Sequence, residues 1–112
     1  MAELKIDDES VTLVLSAGER MEAFRGNITV PRSSIVGARR VPDGLAEVHG
    51  IRAPGTTLPG VLLVGTWRST GSVTFAACHG HRAAVVLNLV GQPFDRLVVT
   101  VDDPDDTLDR LG

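Results

Sequence analysis

The chain has one cysteine, Cys78, one lysine and no tyrosine. A single cysteine excludes an internal disulfide and any paired-cysteine zinc or redox motif. Phe24, Trp67, Phe75 and Phe94 are the only aromatic residues. Single-stranded nucleic acid is held by stacking bases on several rings along a basic groove, and four rings make a poor platform. A surplus of positive charge is also missing. The formal net charge is −3, which argues against a general nucleic-acid coat protein. No apolar run approaches the ~18 residues that span a bilayer. The opening residues MAELKIDDES are acidic, where a secretory signal would be basic and then apolar. The expected location is therefore cytoplasmic.

At 112 residues, with 43% hydrophobic and 22% charged residues, the chain reads as one globular domain over 1–112. Its charge is segregated. Residues 1–10 set Glu3, Asp7, Asp8 and Glu9 against Lys5, and residues 102–112 set five aspartates against Arg110. Between them lie nine arginines and only five acids. A basic middle between acidic ends suits an acidic partner if the arginines cluster in space, and is otherwise a solvated surface.

Strand signals dominate. Val11–Leu15, Ile28–Val30, Ile35–Val41, Val61–Trp67, Val73–Cys78, Val85–Val90 and Leu97–Val101 are β-branched or apolar runs separated by turn residues. The nearly all-apolar run at 61–67 should be covered on both faces or lead into a core. Pro31 cannot donate to a ladder, so the strand at 28–30 should lie at an edge or end there. Ser69-Thr70-Gly71-Ser72 reads as a hairpin loop, and Pro42-Asp43-Gly44 as a turn in which glycine can take positive φ. Residues 50–60 (GIRAPGTTLPG) hold three glycines and two prolines, too many for a helix or a central strand, so an ordered loop is expected. A short helix is expected over 17–24, with Met21 and Phe24 on one face. A second is marked at the C-terminus. Asp103 suits the N-cap, Pro104 the first turn, and Asp105 and Asp106 the positive end of the dipole. Leu108 and Leu111 would then seal an apolar opening.

Chemistry-bearing motifs are few. In an extended chain His79 and His81 share a face, and a metal would need a third ligand from His49 or a carboxylate. Gly80 suggests a turn that splays the two rings, so the plainer reading is a strand end with exposed histidines. Cys78 is beside His79 in sequence, but neighbours on a strand face opposite ways, which favours a buried structural thiol over a nucleophile. No GxSxG, GxGxxG or Walker loop is present. The acidic run at 102–106 lacks the glycine and glutamate of a calcium loop.

Three stretches taken in order, ITVPRSSIVGARRV (28–41), GIRAPGTTLPG (50–60) and RLVVTVDDPDDTLDRL (96–111), resemble bacterial proteins of the pleckstrin-homology-like group. The resemblance covers nearly the whole chain. It implies a mainly β, partly open barrel of about seven strands, closed at one end by a C-terminal helix, and a non-enzymatic module without cofactor. Lipid-binding members carry basic residues between the first two strands. The resemblance places that loop at Asp7-Asp8-Glu9-Ser10, where three acids would repel a phosphorylated headgroup, and residues 104–111 lack the tryptophan typical of the eukaryotic terminal helix. Both departures argue against a membrane-lipid partner and leave a protein partner, with self-association as a further expectation. The expected surface is the 50–60 segment with its neighbours: Arg39, Arg40, Arg52, Arg68, Thr56 and Thr57. The competing reading is a small-molecule or metal site, conceivably enzymatic, at His49, Cys78, His79, His81 and Arg82.

Overall fold

The computed structural model describes the backbone of residues 1–112 and every side chain except that of residue 53. Nine strands form two sheets. The smaller is antiparallel, with β1 (Glu3–Ile6), β2 (Ser10–Val14) and β3 (Ile28–Pro31) in that order. The larger contains β4 (Ile35–Val41), β5 (Ile51–Leu58), β6 (Leu62–Ser69), β7 (Ser72–His79), β8 (Ala84–Leu89) and β9 (Arg96–Val99), in the spatial order β4-β8-β9-β7-β6-β5. Only β7 and β9 run parallel. Helix α1 (Ala17–Ala23) links β2 to β3, and α2 (Pro104–Leu111) follows β9. The fold is mainly β, its large sheet is not closed into a barrel, and the C-terminal helix is present. The strands number nine rather than about seven. Among the described residues no helix is long and apolar enough to cross a membrane.

Side-chain alternation explains how the sheets face each other. Val11 and Leu13 of β2 and Ile28 and Val30 of β3 point inward and are buried. Thr12 and Thr29 point outward, where their hydroxyls meet at 3.0 Å. The inner face of the large sheet answers with Val64, Phe75, Val85, Leu87, Leu97 and Val99. Full burial of each such side chain favours folding by about 1.5–3 kcal/mol. The outer face is apolar too. Trp67, Ala76, Cys78, Val86 and Val98 are covered there by Val41, Leu45 and Val48, which flank or lie within the 42–49 segment. The run at 61–67 is thus covered on both faces over its buried part, as its composition requires.

Local signals act largely as expected. Pro31 ends β3 at an edge of the small sheet. Gly71, with φ 71°, closes the two-residue loop between β6 and β7. In α2 the Asp103 carboxylate accepts from the Asp106 N–H at 3.0 Å, and Pro104 occupies the first turn. Leu108 and Leu111 pack on the main core. Arg32 Nη2 donates to the carbonyls of Arg110 and Leu111, each at 3.0 Å, so a cation satisfies the acceptor end of the helix.

Two expectations are corrected. Gly44 does not need positive φ; its φ is −62°. Glycine is required there by proximity, because a Cβ would lie 2.9 Å from Ala84 Cβ and 3.1 Å from Cys78 Sγ. The 50–60 segment is not a loop either. Most of it is β5, the edge strand beyond β6. Its register shifts between Arg52 and Gly55, and Pro54 sits in that irregularity, where a missing N–H breaks no ladder. Opposite, Gly65 has φ 141°, and a Cβ there would fall 2.4 Å from Gly55 Cα and 2.5 Å from the Pro54 carbonyl oxygen. Two glycines therefore let two backbones touch. Gly65→Ala is expected to cost about 2 kcal/mol or more, because backbone must move. Gly71→Ala, with open space around it, should cost about 1 kcal/mol. Urea denaturation midpoints of the two variants check the difference.

Candidate functional site

The expected arginine surface is not one surface. Arg39 and Arg40 lie on β4 and Arg52 on β5, at opposite edges of the six-stranded sheet. Five strand spacings separate those edges, roughly 24 Å. Arg39 pairs with Glu47 at 3.3 Å, and Arg40 pairs with Asp105 of α2 at 3.5 Å. Arg52 stands opposite Trp67 in the register, on the outer face. Arg68, one residue on from Trp67, therefore points to the other face. Thr56 faces α1 and donates its hydroxyl to the Glu22 carbonyl at 2.9 Å. Thr57 is half-buried opposite Leu63.

The histidine cluster is also divided. His79 Nε2 lies 2.8 Å from Glu19 Oε2 on α1, and His81 Nδ1 lies 2.7 Å from Asp43 Oδ2 in the loop after β4. Gly80, with φ 67°, separates them. His49 is exposed, and Arg82 reaches the sulfur of Met1. Among the described residues no three His, Cys, Asp or Glu side chains are gathered as a metal would need. Cys78 is buried beneath Gly44, and its Sγ lies 3.5 Å from the Val98 carbonyl. Burial pushes its thiol up to about 12, which disfavours the thiolate that a nucleophile needs.

Arg68 does help line a concavity of about 340 Å³ with Phe24, Arg25, Pro54, Pro93 and Phe94 among its walls. It lies where α1 ends and the inner core opens beside β5 and β6. Phe75 and Phe94 meet edge to face at 5.5 Å, and the Arg25 guanidinium covers both rings, 5.2 Å from the Phe94 centroid and 5.9 Å from that of Phe75. The aromatic faces hold this cation in place. Among the described residues neither Arg25 nor Arg68 has a carboxylate partner.

Phe24 gives this rim its character. It caps α1 at φ 58°, the only non-glycine residue with positive φ, and is 72% exposed. A bulky residue in the left-handed region costs about 1–2 kcal/mol. Met21 is 77% exposed as well, so the helix turns its large apolar side chains to solvent. What it buries is Glu19, 1% exposed. Glu19 Oε1 accepts the Ser16 N–H at 2.9 Å, Ser16 Oγ accepts the Glu19 N–H at 3.2 Å, and the outer oxygen meets His79. This capping box is legible as Ser16-x-x-Glu19. The long-range partner of Glu19, and the gathering of Phe24, Arg25, Arg68 and Phe94, have no local sequence signal.

Comparison of the chain with protein-family models, with curated proteins and with solved structures finds no match to any of them.

Burial raises the Glu19 carboxyl, but the His79 hydrogen bond, the Ser16 donors and attraction to the imidazole outweigh it and hold the group below the ordinary glutamate range. A depressed carboxyl contributes stability that is complete above the unfolded-state value, about 4.3, and is lost as pH falls through the folded value. Glu19→Gln is expected to lose about 1–3 kcal/mol at pH 7 and to show a flatter acid limb than the parent. Thermal unfolding between neutral pH and pH 3 reads both effects.

Proposed function

We propose that this chain is a cytoplasmic, non-enzymatic binding module of the pleckstrin-homology-like kind, and that it engages a protein partner at the Phe24–Arg25–Arg68 concavity. The observation that carries the reading is an exposed phenylalanine, held in an unfavourable backbone conformation, beside two arginines that have no acidic partner among the described residues. Aromatic residues and arginine are the side chains that dominate binding energy at protein interfaces. Conformational cost kept at an exposed position suits a contact made with something else. Ile51, 77% exposed and opposite Arg68 in the register, extends the apolar rim. The mainly β architecture with its C-terminal helix supports the family reading. The acidic β1–β2 loop continues to argue against an anionic membrane surface.

The test is affinity capture from lysate of the source cells. Arg68→Glu should reduce recovery of the specific partner about tenfold or more, whereas Arg39→Ala, at the far edge, should leave it unchanged. Phe24→Gly should raise stability by about 0.5–1 kcal/mol while weakening capture. Unchanged capture by both Arg68→Glu and Phe24→Gly would remove the concavity from the binding surface.

A further inference from the structure

We infer that the occupant of this concavity is the acidic β1–β2 turn of a second copy of the same chain. The inference rests on the reading that the concavity docks protein. Its arginines call for exposed carboxylates on a protruding, ordered element, next to an apolar surface that can receive Phe24. The chain carries such an element. Asp7, Asp8 and Glu9 form the turn between β1 and β2.

The turn is rigid for reasons visible in its bonds. The Asp7 carboxylate accepts the N–H groups of Glu9 at 2.9 Å and Ser10 at 2.7 Å. Arg32 clamps it from β3 onward: its Nη1 donates to the Asp7 carbonyl at 3.0 Å and its N–H to the Glu9 carbonyl at 2.8 Å. Asp7 is thereby committed within the turn. Asp8 and Glu9 are exposed and, among the described residues, have no cationic partner. An ordered turn loses little freedom on docking. Beside it is a groove of about 610 Å³ lined by residues 7–10 and by Thr29, Val30 and Pro31. The groove offers the Phe24 ring a place against Pro31.

Charge and edge geometry agree with this pairing. The molecule measures 34 × 27 × 25 Å, so two centres stay well beyond the Debye length of about 8 Å at physiological salt. The net charge of −3 then opposes contact only weakly, while charges that meet at the interface are little screened. The two surfaces lie along β3 and β5, each at an edge of its sheet, and each strand contains a proline, Pro31 or Pro54. Proline interrupts ladder formation, so side chains and not added strands would join the copies.

Sedimentation velocity on the purified full chain tests this, from about 10 μM to about 1 mM, where weak specific association becomes visible. The weight-average mass of the parent should rise with concentration. Arg68→Glu and Glu9→Arg should each weaken association about tenfold or more, and an equimolar mixture of the two should associate again, because each altered surface then meets its complement. Both positions are exposed, and circular dichroism checks that the fold is kept. A parent that stays monomeric throughout, or variants that associate as it does, would overturn the inference. If the parent is monomeric while Arg68→Glu still loses its captured partner, the docking surface stands and only its occupant is wrong.

Discussion

Val98 and Val99 are neighbours on β9, point to opposite faces and are both fully buried. Covering both faces of the sheet around them is the demand that most of the structure meets. On one side the small sheet and the two helices supply a thick layer. On the other, among the described residues, the cover is Val41 and the short 42–49 segment after it, which must lie close. That closeness is why Gly44 stands over Cys78 without room for a methyl group. The cover is fastened at several points: Arg96 donates to the Glu47 carbonyl, the Gly44 N–H to the Arg82 carbonyl, and Asp43 meets His81. His81 and Arg82, candidates for a metal or small-molecule site in the sequence, are thus fasteners of a thin layer.

Helix α1 inverts the usual amphipathic arrangement. A seven-residue helix gains little from its own hydrogen bonds and must dock to persist. It docks through Glu19 and Ala23, with a buried hydrogen-bonded carboxylate in place of a leucine stripe. This ties the helix to β7 in one orientation, since Glu19 has to reach both the Ser16 N–H and the His79 ring. Fixing that orientation also fixes Phe24 and Arg25 at the mouth of the core. The concavity follows from the polar anchor beneath it.

Features set by neighbours in sequence were legible. Pro31 marked an edge, Asp103-Pro104 marked the start of a helix, and residues 69–72 marked a hairpin, because each acts through local backbone geometry. The glycine-proline stretch at 50–60 misled for the opposite reason. Gly55 is tolerable in a strand only because Gly65 faces it, and that pairing is a tertiary fact. The candidate site suffered most. His79 finds its carboxylate 60 residues away and His81 finds its own 38 away. The arginines are separated by a strand order that the chain order conceals. Phe24 read as part of one helix face with Met21, and Arg25, just beyond that helix, carried no signal of its own.

The position of β9 has a consequence in time. It separates two ribbons, β4-β8 on one side and β7-β6-β5 on the other, and it is the last strand in the chain. Both ribbons precede in sequence the strand that joins them, so until β9 docks, β7 and β8 each present an unpaired edge. Crowding or delay at that stage exposes the chain to joining the wrong molecule. Within the finished domain the large sheet is continuous only through this strand.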